Sequence, residues 1–210
     1  MPTRFAMVAV VLSFVPGTFS PGRMHSRIVE TSLRVLFKLS DLTDEAKPKP
    51  APQIERLLKE LSGTWAITEE LAPEASSPKG KTGAGTIIWR AGPGGYSAIE
   101  EYRSKQGDDE VSGLGEMWWD EAAQGYHTIW CDSTNPGGCI DFKNVARWEG
   151  SSLVLRENYE SNGRKFTFKE VFSDFGGESF TQTLYGAEAG NELKVDQVIH
   201  GKRMQTGVGR

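Results

Sequence analysis

From Thr64 onward, apolar and polar residues alternate with a period of two, in about ten short runs bounded by Gly, Asn, Asp, Ser or Pro. Such alternation is typical of strands that bury one face, and the bounding residues are those that favour turns. No connection between the runs is long enough for a crossover helix, so neighbouring strands must pair antiparallel. The predicted strands are Thr64–Ala72, Thr82–Arg90, Tyr96–Ser104, Ser112–Asp120, Tyr126–Asp132, Gly138–Trp148, Ser152–Ser161, Arg164–Asp174, Ser179–Ala187 and Leu193–Arg203.

Ten strands in sequential order leave two exposed edges unless the sheet closes on itself, so a barrel is favoured over an open sheet. Ahead of the strands, "QIERLLKEL" places Ile54, Leu57, Leu58 and Leu61 on one helical face and ends before Gly63, a typical C-terminal stop. The sequence therefore predicts an all-β, about ten-stranded antiparallel up-and-down barrel preceded by a short helix.

The N-terminus has the layout of a secretory signal peptide. "MPTRFAMVAVVLSFVPGTFS" carries one arginine, then an apolar run from Phe5 to Val15, then Pro-Gly and small residues. The apolar run is too short to span a bilayer, so no transmembrane segment is expected. Residues 1–20 are predicted to be the signal peptide of a periplasmic or secreted protein. The alternative is a mis-assigned start, with translation beginning at Met24.

Residues 21–53 form a tail between this segment and the barrel domain, which covers residues 54–210. Val29, Leu33, Leu36 and Phe37 recur at helical spacing, so Ile28–Leu39 is a candidate amphipathic helix. The "DEAKPKPAP" stretch that follows alternates proline with charge and is typical of an extended linker. The domain boundary is placed there.

The only two cysteines lie at the ends of one loop, "CDSTNPGGC". If Trp130 lies opposite Ile140 across a hairpin, Cys131 lies directly opposite Cys139 on the outer face. Opposed residues in a non-hydrogen-bonded antiparallel pair are about 4.5 Å apart at Cα, within reach of a disulfide. Two cysteines cannot hold zinc alone. A structural disulfide is predicted, as expected for an exported protein.

Three motifs carry a resemblance to a known family. "LSGTW", Leu61 to Trp65, is similar to the helix-then-Gly-x-Trp opening of lipocalin-like (calycin) barrels. Together with "GLGEMWWD", Gly113 to Asp120, and "YHTIWCDS", Tyr126 to Ser133, it resembles a bacterial lipocalin-like family of unknown function whose members often carry signal peptides. The resemblance covers roughly residues 55–203 and implies that Trp65 closes one end of the barrel. It implies no catalytic residue.

The composition and the motifs of the sequence argue against several classes of function. A formal net charge of -4 and the absence of a basic block argue against a nucleic-acid partner. Of the three histidines, His25 lies in the tail, and His127 and His200 fall on the outward parity of their strands, which argues against a histidine-dependent nucleophile or an axial haem ligand. No calcium-loop or phosphate-loop spacing is present. We therefore predict no catalytic residue, no metal and no cofactor.

One pattern suggests a functional site. On the strand face predicted to line the interior of the barrel, polar residues interrupt the apolar ones. With a turn at Gly176-Gly177, Glu170 pairs with Gln182, which in turn pairs with Gln197, and the three form a row across neighbouring strands. The predicted ligand-binding residues are Glu100, Tyr102, Thr128, Trp130, Asn144, Glu157, Tyr159, Glu170, Gln182 and Gln197.

Buried polar groups need partners, so two explanations stay open. The groups form a self-satisfied network that fixes the register of the barrel, or they form a polar patch in a ligand cavity otherwise lined by aromatic rings. The preferred function is an exported, monomeric or weakly oligomeric barrel that binds a small, mainly apolar ligand. The alternatives are an enzyme that uses Glu157 or Glu170 as a general acid or base, and a filled structural or interaction barrel.

Overall fold

The computed structural model describes residues 49–73, 78–161 and 163–205. The predicted signal peptide (1–20) and the predicted amphipathic helix (28–39) lie outside these residues. Helix α1 spans Pro52–Leu61, and a short 3-10 turn spans Pro93–Gly95. The strands are β1 (Gly63–Leu71), β2 (Lys81–Ala91), β3 (Ser97–Gln106), β4 (Asp109–Asp120), β5 (Gly125–Asp132), β6 (Ile140–Asp141), β7 (Arg147–Glu149), β8 (Ser152–Ser161), β9 (Arg164–Ser173), β10 (Ser179–Glu188) and β11 (Lys194–Arg203).

The strands form one curled antiparallel sheet, which confirms the predicted fold class. Each strand pairs with its neighbours in sequence, and β1 pairs with β11, so the first and last strands lie side by side. The sheet ends at β6 and β7. Both of these edge strands come from a single stretch of chain, residues 140–149.

The prediction of one continuous strand over Gly138–Trp148 is wrong. The stretch pairs with β5 through Ile140 and again through Ala146, which bridges Tyr126, and then turns to pair with β8 from Arg147 onward. Matching the apolar faces across the short turns of the sequence predicts five pairings around β8 and β10: Tyr159 with Phe166, Leu155 with Glu170, Trp148 with Leu153, Ala146 with Leu155, and Phe172 with Phe180. Of these, the pairing of Ala146 with Leu155 is wrong, because Ala146 bridges Tyr126 of β5. The stretch crosses from one side of the gap in the sheet to the other, so the barrel closes through it.

The physical reason for this break is a buried carboxylate on β8. Glu157 accepts hydrogen bonds from the backbone N–H groups of Lys143 (2.6 Å) and Asn144 (2.9 Å). These two backbone N–H groups thus donate to a side chain instead of to a neighbouring strand. Their hydrogen bonds are made although this part of the chain is not paired in the sheet. The chain can then leave β5 and reach β8 within a few residues.

The register of the predicted hairpins is confirmed around β8. Tyr159 pairs with Phe166, Leu155 with Glu170, and Trp148 with Leu153. All three pairings follow from matching the apolar faces on either side of short turns.

The predicted register is wrong by two residues around β10. Phe172 pairs with Gln182, not with Phe180, and Gln182 pairs with Ile199, not with Gln197. Glu170 likewise pairs with Leu184, not with Gln182. The partner of Phe172 lies two residues further along β10 than predicted, and the β10–β11 ladder shifts by one residue at a bulge between Leu184 and Tyr185. A shift of two preserves the parity, so Gln182 still lies on the inner face.

Helix α1 covers one end of the barrel, called here the closed end. It packs against β2, β3 and β4, and its Ile54, Leu57 and Leu61 side chains are buried. Next to it, the Trp65 indole N–H donates to the Leu61 carbonyl at 2.7 Å, and its ring meets Phe180 edge-on at 4.9 Å. Trp65 is fully buried beside helix α1 at the closed end. No helix within the described ranges is long and apolar enough to cross a membrane.

Candidate functional site

The barrel encloses a cavity of about 310 Å³ between the closed end and the opposite, open end. This volume lies at the lower limit of the range typical for small-molecule sites, about 300–1,000 Å³. Most of the wall is apolar, with six aromatic side chains contributed by four strands and by residues 138–148, the stretch that closes the barrel. These are Trp89, Tyr102, Trp130, Phe142, Phe168 and Phe172.

Two glycines of β4 make room for the largest of these rings. Gly115 pairs with Trp130 across the β4–β5 ladder, and Gly113 lies two residues away on the same inner face. A Cβ on Gly113 would collide with the Trp130 indole, and a Cβ on Gly115 would lie 3.2 Å from it. The "GLG" of the sequence thus lets Trp130 lie flat against the neighbouring strand and leaves the cavity in front of it free.

Three buried polar atoms in the cavity wall have no hydrogen-bond partner among the described residues. They are the Trp89 indole nitrogen, the Thr128 hydroxyl and the Gln182 amide oxygen. All three residues are more than nine-tenths buried and line the cavity. An unpaired buried polar atom costs about 1–3 kcal/mol, so this part of the wall is incomplete without a molecule in front of it.

Two carboxyl groups, the buried Glu100 and the half-buried Glu170, lie in the same part of the cavity. Burial raises the pKa of Glu100 well above its usual range, and the nearby Glu170 raises it further. Burial also raises the pKa of Glu170, an effect opposed by the hydrogen bond that Gln182 donates to it at 2.6 Å. No described residue donates a hydrogen bond to Glu100, so its carboxyl group is free to meet a ligand.

Toward the open end, a third buried carboxylate is fully satisfied. Glu69 accepts hydrogen bonds from the Tyr102 hydroxyl (2.6 Å), the Gln106 amide (2.8 Å) and the Gln197 amide (3.2 Å). The Gln106 amide also donates to the Tyr102 hydroxyl at 3.0 Å. Burial and then the bond to Glu69 raise the pKa of Tyr102. This closed network ties β1, β3 and β11 together, and it takes Gln197 out of the predicted row with Glu170.

The fourth buried carboxylate, Glu157, is likewise satisfied and does not line the cavity. In addition to the Lys143 and Asn144 backbone groups, the Asn144 side-chain amide (3.2 Å) and the Asn158 backbone N–H (2.8 Å) donate to it. The hydrogen bonds from Lys143 and Asn144 hold residues 138–148, which close the barrel, in place. The role of Glu157 in the structure is therefore architectural.

Seven of the ten predicted ligand-binding residues line the cavity, and three do not. Besides Glu157, Asn144 lies outside because its strand breaks there and leaves it exposed. Tyr159 has inward parity but is 50% exposed and stacks on Phe166. The seven that line the cavity are Glu100, Tyr102, Thr128, Trp130, Glu170, Gln182 and Gln197.

Sequence reasoning missed Glu69 and Trp89. Glu69 shares the parity of Trp65 and Ile67 on β1, and this parity was the signal that could have placed it on the inner face. Trp89 was recognisable as an inward residue, but its unpaired indole nitrogen depends on which side chains face it across the barrel.

The predicted disulfide is confirmed, and it holds the rim of the cavity. Cys131 and Cys139 are bonded, with a Cα–Cα distance of 4.1 Å. Cys131 stands between Trp130 and Asp132, which both line the cavity. The burial of Asp132 acts to raise its pKa, but hydrogen bonds from Thr134, Trp130 and the loop backbone outweigh burial and lower it. Asp132 is therefore an ionised group at the open end.

Removing the disulfide is expected to loosen this rim. The Cys131→Ala/Cys139→Ala double variant should lose roughly 2 to 3 kcal/mol of unfolding free energy, because the unfolded chain is no longer closed into a short loop. Urea unfolding of the variant and of oxidised wild type measures this difference. Wild type under reducing conditions should match the variant. Two thiols reactive in the unreduced mature protein would contradict both the disulfide and the export hypothesis.

The described chain offers no group of three or more His, Cys, Asp or Glu side chains placed to hold a metal ion. His127 Nε2 lies within hydrogen-bonding distance, 2.7 Å, of the Asp141 carboxylate, and His200 is exposed. Neither lines the cavity.

Comparisons with known proteins agree with the fold. No protein-family model matches the sequence, and no curated protein matches it. Among solved structures, the chain is similar to Rv2717c from M. tuberculosis, with a TM-score of 0.50 and 12% identity over 75% of this chain and 100% of that one. The redesigned β-barrel mFAP0 bound to DFHBI aligns with a TM-score of 0.36 and 12% identity, over 69% and 99% of the two chains. At this identity the likeness to Rv2717c concerns the fold alone.

Proposed function

We propose that the protein is an exported, lipocalin-like barrel that binds a small, mainly apolar ligand, whose polar end lies against Glu170 and Gln182. The observation that carries this proposal is the set of unpaired polar atoms in an otherwise aromatic cavity. A filled structural barrel would satisfy such atoms from its own side chains, as the Glu69 network does. Export is supported by the signal-peptide pattern of residues 1–20 and by the disulfide.

The size of the cavity bounds the ligand. An enclosed apolar cavity of about 150 Å³ holds one benzene ring, so a cavity of about 310 Å³ accommodates a body of roughly two fused rings. The aromatic walls favour a flat ligand, because ring pairs gain from edge-on and offset stacking.

Substituting Glu170 by leucine separates binding from stability. If the cavity holds a ligand, Glu170→Leu removes a polar contact, and the freed Gln182 amide turns to the ligand or to water, so the melting temperature changes little. We expect affinity for the neutral probe 2-naphthalenemethanol to fall about tenfold, the factor that ~1.4 kcal/mol gives. Isothermal titration calorimetry measures the affinity, and native mass spectrometry of protein purified without detergent shows whether a ligand is retained.

Glu101→Leu is the matched control, because it makes the same chemical change one residue from Glu100 on the outer face, where Glu101 pairs with Arg90. Its affinity should equal that of wild type. A large loss of melting temperature in Glu170→Leu with unchanged probe affinity would defeat the binding proposal in favour of a structural role.

An enzymatic function is a second candidate, and Glu170 is the residue that favours it. A carboxyl group whose pKa is raised by burial can donate a proton near neutral pH. Glu157, the other residue considered, is held by its four hydrogen bonds and does not line the cavity. Turnover of a bound substrate that is lost in Glu170→Gln, with binding retained, would favour this candidate over simple binding.

A further inference from the structure

The charges that line the cavity all have one sign. Glu100, Glu170 and Asp132 are among the lining residues, whereas no lysine, arginine or histidine is. An anionic ligand would thus lose its hydration and find no cation to replace it. Such a burial is strongly unfavourable unless the charge is paired. The cavity therefore disfavours carboxylates and phosphates.

Hydrogen-bond acceptors also outnumber donors in the deep part of the cavity. The Gln182 amide oxygen, in a side chain that is only 6% exposed, has no donor among the described residues. The Glu170 carboxyl group uses one oxygen for Gln182 and leaves the other open, and both oxygens of Glu100 are open. Among the described residues, the buried donors without a partner are the Trp89 indole N–H and the Thr128 hydroxyl. A ligand that fits this surface must supply N–H or O–H groups.

The aromatic walls add a third preference. Trp130 meets Tyr102 edge-on with ring centroids 6.0 Å apart, and Trp89 meets Phe172 in the same way at 6.1 Å. Faces of tryptophan and tyrosine attract cations by about 0.5–2 kcal/mol, the larger value applying when the site is desolvated. Carboxyl groups next to aromatic faces suit an organic ammonium group.

We infer that the ligand carries a basic nitrogen, as an aromatic or polycyclic amine does, and that this nitrogen binds between Glu100, Glu170 and the Gln182 amide oxygen. The inference rests on the proposed binding function and adds the chemical class of the ligand. An ammonium group provides the donors that the open acceptors lack, and its charge favours the ionised form of the two carboxyl groups, whose pKa burial otherwise raises.

Three probes with the same ring system test the inference: 2-naphthylmethylamine, 2-naphthalenemethanol and 2-naphthoate. Titration calorimetry with the wild-type protein at pH 7.5 should give the amine an affinity at least about tenfold above that of the alcohol, since a charged hydrogen bond is stronger than a neutral one. The carboxylate should bind more weakly than the alcohol.

The outcomes separate this inference from the proposed function. If the alcohol binds as tightly as the amine, or the carboxylate binds most tightly, the basic-nitrogen inference is overturned while the binding function stands. If none of the three probes binds, the binding function fails and the inference fails with it.

Two isosteric variants locate the effect. Glu100→Gln and Glu170→Gln should each lower amine affinity about tenfold and change alcohol affinity by less than about threefold, because only the charge is removed. Glu101→Gln, on the outer face, is the matched control and should leave all three affinities unchanged. An equal loss for amine and alcohol in both cavity variants would indicate a general disturbance of the wall and overturn the inference.

Discussion

Replacing Glu69 by leucine is expected to destabilise the barrel by about 3 to 5 kcal/mol. The substitution removes the acceptor for the buried Tyr102 hydroxyl and for the half-buried Gln106 and Gln197 amides at once. Loss of a partner costs about 1–3 kcal/mol for a buried group and less for a half-buried one. The Tyr102–Gln106 bond survives and moderates the loss. The side chain is only 1% exposed, so water cannot easily take the place of the carboxylate. Urea unfolding of wild type and variant measures the difference.

The sharpest control is the same substitution at Glu170. Both glutamates point inward, but Glu69 is buried in a closed network, whereas the half-buried Glu170 adjoins open acceptors and the cavity. We expect Glu69→Leu to lower stability strongly and Glu170→Leu to lower it little. Equal losses for the two variants would mean that the distinction between a closed network and a binding cavity is wrong.

The inward placement of the polar residues could be predicted because strand parity is robust. The register error at β10 amounts to two residues, and a shift of two leaves every side chain on its face. Gln182 and Glu170 therefore lie inside despite wrong partners, and their diagonal positions still allow a hydrogen bond. In the same way, the disulfide needed only the Trp130–Ile140 pairing, which local apolar matching supplied.

What the sequence could not supply is the set of contacts across the barrel. Glu69 and Gln197 are 128 positions apart in the chain, and their contact depends on β1 pairing with β11 in one particular register. The break in the stretch 138–148 depends on Glu157, a side chain of a different strand that takes two of its amides. The alternation of apolar and polar residues reflects only a strand and the strands next to it. It therefore predicted one continuous strand over residues 138–148, whereas the carboxylate of Glu157 interrupts the strand there.

The stability of the wild-type protein is expected to fall as the pH rises above about 4.5, owing to Glu100. Because burial raises the pKa of Glu100 above its usual 4.5, the folded state keeps a proton that the unfolded state has released. Stability falls wherever the folded state binds more protons, by about 1.4 kcal/mol per pH unit for one group. The loss begins near pH 4.5, ends at the raised pKa, and is absent below pH 4.5, where both states are protonated. Glu170 acts in the same direction.

Glu100→Gln removes the titrating group whose pKa is raised by burial and, in second place, by repulsion from Glu170. The variant should be more stable than wild type at pH 8, and its stability should fall less steeply between pH 5 and pH 8. Urea unfolding at several pH values gives both slopes. Burial also raises the pKa of Asp196. The contributions of Asp196 and of the other unchanged groups to the pH dependence are the same in both proteins, so they cancel in the difference. Glu101→Gln should keep the wild-type slope, because Glu101 lies on the outer face beside Arg90. A slope in Glu100→Gln as steep as that of wild type would show that Glu100 is ionised in the folded barrel. The cavity would then have to contain a cation that pairs with the carboxylate or water that hydrates it.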